Sequence, residues 1–306
     1  MELIRGTHNL RPQHRDCVLT IGNFDGVHRG HQALIARARE LAQAHGLPLT
    51  LLTFEPTPRE FFSGADAPGR ISPLRDRLRL LEEQGIERLL LQGFNRRFAA
   101  IAAPAFIDEL LVGRLGVKAV VIGDDFRFGA QRAGDIGLLR LQGAQQGFSA
   151  ESLPTVLVDG ERCSSTAVRT ALAGPDLQCA EKLLGRRYSI SGRVRRGLQL
   201  GRKLEMPTAN ISLRQRPALK YGVYAIRARL AGHRWKGVAS LGVRPTLNLS
   251  ECLLEAHLFV SPGDIYGQIL EVEFAHFLRA EEKFDSLEAL TAQMHADKTQ
   301  AMALLS

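Results

Sequence analysis

Long apolar runs are missing from this chain. No segment approaches the ~18 consecutive apolar residues of a membrane-spanning helix, which predicts a soluble globular protein rather than a helical membrane protein. The opening stretch MELIRGTHNLRPQHRD is too polar for the apolar region of a secretory signal, so the expected compartment is the cytoplasm. Cysteine is scarce. Cys17, Cys163, Cys179 and Cys252 lie far apart, without the paired spacing of a zinc or redox motif and too few for a disulfide scaffold, and they read as reduced thiols. Aromatic residues are only 6% of the chain and the arginines are scattered. That argues against the basic stripe with interleaved aromatics of a nucleic-acid binder. Repeats and low-complexity tracts are also lacking.

What is present is material for two ordinary domains: 306 residues, 45% of them hydrophobic. The net charge of +8 favours acidic partners such as nucleotides, nucleic acid or anionic lipid, and solubility is the plainer reading of the same number.

The first ~185 residues alternate strand-like and helical patterns. Cys17 to Ile21 reads as a strand. Leu34, Ile35, Ala38, Leu41 and Ala42 recur at helical spacing and stop at Gly46. Residues 47–54 form a second strand closed by Pro56 and Pro58. Ser72 and Pro73 open a helix ending near Gly85, RLLLQ is a third strand, AFIDELLVGRL is helical, and VKAVVIG (117–123) is the clearest buried strand. Such units predict a doubly wound, mainly parallel sheet with helices on both faces. From Tyr188 the texture becomes that of an antiparallel sandwich or barrel, with a closing helix whose capping pair is Asp285 and Glu288. The boundary falls within 183–189, giving domains 1–184 and 185–306.

In a doubly wound sheet, ligands bind beyond the carboxyl ends of the strands. Four polar, glycine-bearing segments follow strands there: GNFDGVHRGH, TFEPTPREFF, GDDFRFGAQRAGD and, after PTVLVDG, CSSTAVR. If a helix starts near Val27, His28 and His31 share one face of its first turn, where free N–H groups and the positive helix end favour phosphate. Gly22, Gly26 and Gly30 would let the backbone approach a ligand closely. The stretch alone also reads as a tight turn with two exposed histidines, and two histidines without a third ligand argue against zinc.

His28-Arg29-Gly30-His31 after a first strand resembles the HxGH signature of the nucleotidyltransferase superfamily. The longer match, GNFDGVHRGH with TFEPTPREFF, GDDFRFG and SSTAVR in that order, resembles the bifunctional bacterial riboflavin kinase/FMN adenylyltransferases, also called FAD synthetases, over essentially the whole chain. The resemblance implies a nucleotidyltransferase domain followed by an antiparallel β-barrel kinase domain closed by a helix. It implies that His28 and His31 stabilise the α-phosphate of ATP as the FMN phosphate attacks it, with Gly22, Asn23, Asp25 and Gly30 shaping the phosphate loop. Asp125 would lie near the nucleotide with Arg127 and Phe128 lining the site. Ser164, Ser165 and Thr166 would open a helix from which Arg169 reaches the β- and γ-phosphates; Ser165 as a plain N-cap and Arg169 as a solvated charge are the ordinary alternatives. Phe54, Phe61, Phe62 and Phe128 are candidates to pack on the isoalloxazine ring, or on the core. Thr57 departs from the histidine common in the family.

In the second half, GRKLEMPTANISL (201–213) resembles the riboflavin kinase signature. Gly201, Lys203, Pro207, Thr208 and Asn210 would then handle ATP, with Thr208 and Asn210 on Mg²⁺, and Glu255 would be the general base on the ribityl 5′-hydroxyl. Each motif alone also reads as a turn into a strand and an exposed strand carboxylate, and Glu271 is a rival base. Glu205, Met206 and Ser240 depart from the family pattern. If Glu205 faces phosphate, two unit charges ~4 Å apart repel by roughly 1 to 4 kcal/mol, so an impaired kinase domain that mainly binds flavin stands as the alternative. The implied substrates and products are riboflavin, ATP, FMN and FAD, with no nucleic acid and no membrane. Oligomeric state is not legible in the sequence.

Overall fold

The computed structural model describes residues 1–196, 206–245 and 250–306. Contacts divide the chain into two units: Met1–Pro68 with Arg77–Ser164, and Gly69–Asp76 with Ser165–Ser306.

The first unit is built on a six-stranded sheet: β1 (Glu2–Arg5), β2 (Cys17–Ile21), β3 (Leu49–Phe54), β4 (Arg88–Gln92), β5 (Val117–Gly123) and β6 (Ser149–Leu153), in spatial order β1-β4-β3-β2-β5-β6. Every pairing is parallel. The central β2 and β3 are buried along their whole length, as strands covered on both faces must be. Helix α1 (Arg29–His45) ends on Gly46 in the left-handed region, φ 63°, the predicted stop. Short α2 (Pro58–Ser63), α3 (Leu74–Glu83) and α4 (Ile136–Gln146) follow. The core joins Leu19, Ile21, Leu52, Val120 and Ile122 of the sheet to Phe106, Ile107 and Leu111. Each such side chain contributes about 1.5–3 kcal/mol when fully buried. The chain runs from β2 outward through β3 and β4, then returns to β5 on the other side of β2. That reversal is the switch point where open α/β sheets bind ligands.

The structure departs from the sequence expectations in four places. β1 was not anticipated, and Ile4 is its one buried residue, too little for an alternating signal. The sixth strand is Ser149–Leu153 rather than PTVLVDG, whose residues form a small hairpin of β7 (Leu157–Val158) and β8 (Glu161–Arg162). Its turn residues Asp159 and Gly160 both have positive φ, 52° and 84°, as the tightest hairpins require. The helical stretch AFIDELLVGRL is a π-helix over Phe106–Arg114. Finally, α1 begins at Arg29, so His28 is its N-cap and not a first-turn residue.

The second unit opens with α5 (Ser165–Ala173) and α6 (Leu177–Leu184). Six antiparallel strands follow: β9 (Ser189–Arg193), β10 (Ala209–Leu213), β11 (Gly222–Leu230), β12 (His233–Pro245), β13 (Ser250–Leu258) and β14 (Ile269–Arg279), in order β10-β13-β12-β11-β14-β9. The two end strands meet where Arg195 N–H donates to the Asn210 carbonyl at 2.8 Å, so the sheet nearly closes into a barrel. The interior is tight at that seam: a Cβ on Gly192 would run into the Ile211 methyl. Helix α7 (Leu287–Leu304) packs Ala301 with Val223, Ala225 and Val238 of the barrel wall. Its N-cap is Ser286, whose hydroxyl accepts from Ala289 N–H at 3.1 Å, one residue beyond the expected Asp285.

Candidate active sites

The loop between β2 and α1 is held in an unusual conformation. Phe24 and Val27 are buried with φ of 50° and 42°, values that a β-branched residue rarely adopts. Such strain persists only where the surroundings over-determine it, as they do at binding sites. His28 Nδ1 accepts the His31 backbone N–H at 3.3 Å. The neutral ring therefore carries its proton on Nε2, which stays a donor. The two imidazoles stack with centroids 3.6 Å apart, and Phe24 tilts against His31 at 5.0 Å. Asp25 is buried in the turn and Asn23 is exposed. Gly22 makes room for the Phe24 ring, and Gly30 for the His28 ring and the Cys163 carbonyl.

Residues that the sequence reading passed over fix this loop. Arg77 of α3, only 1% exposed, donates to the Asn23 carbonyl at 3.1 Å and the Phe54 carbonyl at 3.1 Å, and pairs with Glu55 at 2.7 Å. One buried guanidinium thus ties together the segments that follow β2 and β3. The Cys163 sulfur lies 3.7 Å from His28 Nδ1. Cys163 opens the CSSTAVR segment but reads from sequence only as a reduced thiol, and Arg77 belongs to no motif. Thr57 is the N-cap of α2 in a reciprocal capping box with Glu60, a structural task that accounts for the hydroxyl there.

The aromatic candidates join one chain of rings. Phe62, 72% exposed, packs on Phe94 at 5.8 Å; Phe54 is buried and meets Phe94 and Phe98, both at 5.7 Å. Phe61 also packs on Phe94, at 5.5 Å. Phe98 continues to Phe106, and Phe106 to Phe128 at 5.3 Å. Phe94 and Phe98, absent from the sequence reading, are the links. After β5, Asp125 forms an exposed ion pair with Arg162, and Arg127 is exposed. Ser165 begins α5, Thr166 is exposed, and Ser164 precedes them. The Arg169 guanidinium donates to the carbonyls of Gly69 at 2.9 Å and Ser165 at 3.3 Å.

The barrel carries two cavities, one of about 290 Å³ that includes Pro207, Asn210, Tyr266 and Lys298, and one of about 270 Å³ that includes Met206, Ser240, Glu255 and Glu281. Two residues, Thr208 and His257, line both. β-strand alternation explains this set. Glu255 and His257, two apart on β13, share a face, and Glu255 lies opposite Asn210 on β10 and Ser240 on β12. The Asn210 side-chain amide donates to the Thr208 carbonyl at 3.2 Å, leaving its buried Oδ1 without a partner. Desolvation and then the neighbouring Glu255 charge push the Glu281 carboxyl above its ordinary range. Glu271, the rival base, is on β14 accepting the Ser189 hydroxyl at 2.9 Å and lines neither cavity. Gly201, Lys203 and Glu205 lie outside the described residues. Among the described residues no cluster of His, Cys, Asp or Glu is suited to hold a metal by itself, and no helix is long and apolar enough to cross a membrane.

A parallel sheet with a strained histidine loop at its switch point, and an antiparallel barrel with two cavities sharing a wall, define a two-unit transferase acting on nucleotides. Comparison with known proteins agrees. Residues 10–167 match the FAD synthetase family and residues 184–305 the riboflavin kinase family. The bifunctional riboflavin kinase/FMN adenylyltransferase of Pseudomonas fluorescens is 48% identical, the alignment covering 99% of this chain and 98% of that one. The protein of the same description from Haemophilus influenzae is 45% identical over 100% of both. A crystal structure described as a macrolide-efflux protein from Streptococcus pneumoniae superposes with a TM-score of 0.82 at 29% identity, covering 97% of each chain. The chain belongs to the bifunctional riboflavin kinase/FMN adenylyltransferase family. Full-length similarity to relatives described by both activities does not favour the alternative in which the barrel only binds flavin.

Proposed function

We propose that this chain converts riboflavin and ATP to FMN and ADP in the barrel, then FMN and ATP to FAD and pyrophosphate at the histidine loop, with 1–184 and 185–306 as the corresponding domains and the cytoplasm as its compartment. The observation that carries the reading is the pair of barrel cavities sharing Thr208 and His257. Two substrates that exchange a group need separate seats with a common wall. The more apolar cavity with Met206 and Glu255 suits the flavin, and the one with Asn210, Tyr266 and Lys298 suits ATP. Glu255 accepts the proton of the ribityl 5′-hydroxyl as its oxygen bonds to the γ-phosphorus and the bond to ADP breaks. The orphaned Asn210 Oδ1 and the Thr208 hydroxyl are hard oxygen donors of the kind Mg²⁺ takes alongside substrate phosphates, so the residues present fit that ion. Bound there, Mg²⁺ would neutralise polyphosphate charge. Gly201, Lys203 and Pro207 complete the proposed ATP set.

In the first unit, His28 Nε2–H and His31 hydrogen-bond the α-phosphate oxygens as an FMN phosphate oxygen attacks that phosphorus and pyrophosphate leaves. This needs no covalent intermediate; positioning and charge stabilisation suffice. Gly22, Asn23, Asp25, Gly30, Asp125 and Ser164 of this unit are assigned to phosphate and nucleotide binding, and Phe54, Phe62 and Phe128 to the flavin; the resemblance adds Ser165, Thr166 and Arg169, at the start of α5, to the phosphate set. The test is chromatography of products from ATP and Mg²⁺ with riboflavin or with FMN. Formation of FMN and FAD from riboflavin supports both assignments; FAD from FMN alone removes the kinase assignment.

A further inference from the structure

His257 is 5% exposed, and its ring nitrogens have unequal surroundings. Nδ1 lies 3.0 Å from the Pro207 carbonyl, and a carbonyl only accepts, so Nδ1 carries the proton. Nε2 is then a bare lone pair, buried and without a hydrogen-bond partner. Burial, with smaller electrostatic contributions from Lys298 and His295, pushes the ring's pKa below its ordinary value, although the Pro207 hydrogen bond works in the opposite direction. A buried acceptor left open costs about 1–3 kcal/mol. It is expected only where something else fills it.

Position narrows what that partner is. His257 lines both barrel cavities, and the neighbours on its strand face are Glu255 two residues away and Val238 opposite. A neutral lone pair cannot accept from an ionised phosphate oxygen, which has no hydrogen to give. The partner must be an O–H or N–H donor. ATP carries donors too, but on its ribose and adenine, at the end remote from the reacting γ-phosphate; at the wall where the two substrates meet, the hydroxyls are those of the flavin's ribityl chain. Glu255 takes the hydrogen of the hydroxyl that attacks phosphorus, which leaves the remaining ribityl hydroxyls for His257.

We propose that His257 Nε2 accepts a hydrogen bond from a non-reacting ribityl hydroxyl, making His257 a substrate-positioning residue of the kinase reaction. The inference rests on the cavity assignment of the preceding section. It predicts that the barrel distinguishes a polyhydroxylated chain from an alkyl chain through this ring.

The test pairs two variants with two substrates. His257→Asn keeps an amide N–H for the Pro207 carbonyl but has nothing at the Nε2 position, whereas His257→Gln returns an acceptor near it. With riboflavin and ATP, His257→Asn should raise the KM for riboflavin about 10- to 100-fold with a smaller change in kcat, since the bond forms in ground and transition states alike. His257→Gln should recover a good part of that loss. The KM for ATP and the turnover of FMN to FAD should stay as in the unmodified protein. A riboflavin analogue with the ribityl hydroxyl next to the terminal one deleted should then lose efficiency against the unmodified protein and lose little more against His257→Asn. Equal penalties for the analogue in both proteins would overturn the proposal. So would an unchanged KM for riboflavin in His257→Asn, or a loss that appears in the magnesium dependence instead, which would give the lone pair to a metal-bound water. Failure of the underlying reading is separately visible, because the unmodified protein would then make no FMN at all.

Discussion

Gly30 sits where a methyl group has no free room. A Cβ there would lie 3.1 Å from the His28 ring and 3.3 Å from the Cys163 carbonyl. The ring would have to yield by a few tenths of an ångström, and it is the ring whose Nδ1 accepts from His31 and whose Nε2 is assigned to phosphate. Misplacing a reacting group on the ångström scale costs up to about 100-fold in rate. Gly30→Ala is therefore expected to slow FMN adenylylation about tenfold or more while riboflavin phosphorylation by the same preparation is unaltered; equal slowing of both would point to general unfolding. His257 offers a pH test at the same scale. Its folded pKa is below its unfolded one, so its contribution to stability is present above pH ~6.5 and is lost as pH falls toward the folded value. Urea unfolding of the unmodified protein and His257→Asn should show the unmodified protein losing relative stability as pH drops from 7 to 5. A stability gap that does not move with pH would contradict a buried neutral ring.

At the scale of elements, apolar content decided what the sequence could tell. Cys17–Ile21, Leu49–Phe54 and Val117–Gly123 were legible because central parallel strands are apolar throughout. Ser149–Leu153, without a single buried residue, was hidden because an edge strand is fixed by backbone pairing to β5, which leaves no pattern of its own. Likewise the histidine loop stood out by composition, whereas Arg77 and Glu55 look like ordinary surface charges until the fold buries their pairing. His257 carries no motif of its own beside Glu255, although strand alternation already puts both on one face. The cap of α7 was misplaced by one residue because Asp285 and Ser286 are both good capping types and spacing alone cannot rank them. The structure does rank them, since the Ser286 hydroxyl holds Ala289 N–H. Ser286→Ala should cost about 1 kcal/mol in chemical unfolding, and Asp285→Ala distinctly less; the reverse order would restore the earlier cap.

For the whole molecule, the two proposed sites draw on disjoint sets of residues and are linked by one shared compound, FMN, the product of the proposed barrel site and the substrate of the proposed histidine-loop site. Glu255→Gln should abolish FMN formation from riboflavin while sparing FAD formation from FMN. His31→Ala should do the opposite, with FAD synthesis reduced about 100- to 1,000-fold for a lost donor to the phosphate undergoing attack. If FMN passes between sites through solution, mixing the two variants restores FAD synthesis from riboflavin. The progress curve then shows a lag in which FMN accumulates, and the lag shortens as the Glu255→Gln protein is raised, because that variant alone consumes the intermediate. Direct transfer within one chain gives another signature: the unmodified protein makes FAD without a lag, and the mixture lags or fails at the same concentrations. We expect the lag in both samples, since the carboxylate proposed for the kinase step and the histidines proposed for adenylyl transfer fall in separate units and each unit carries a complete fold of its own.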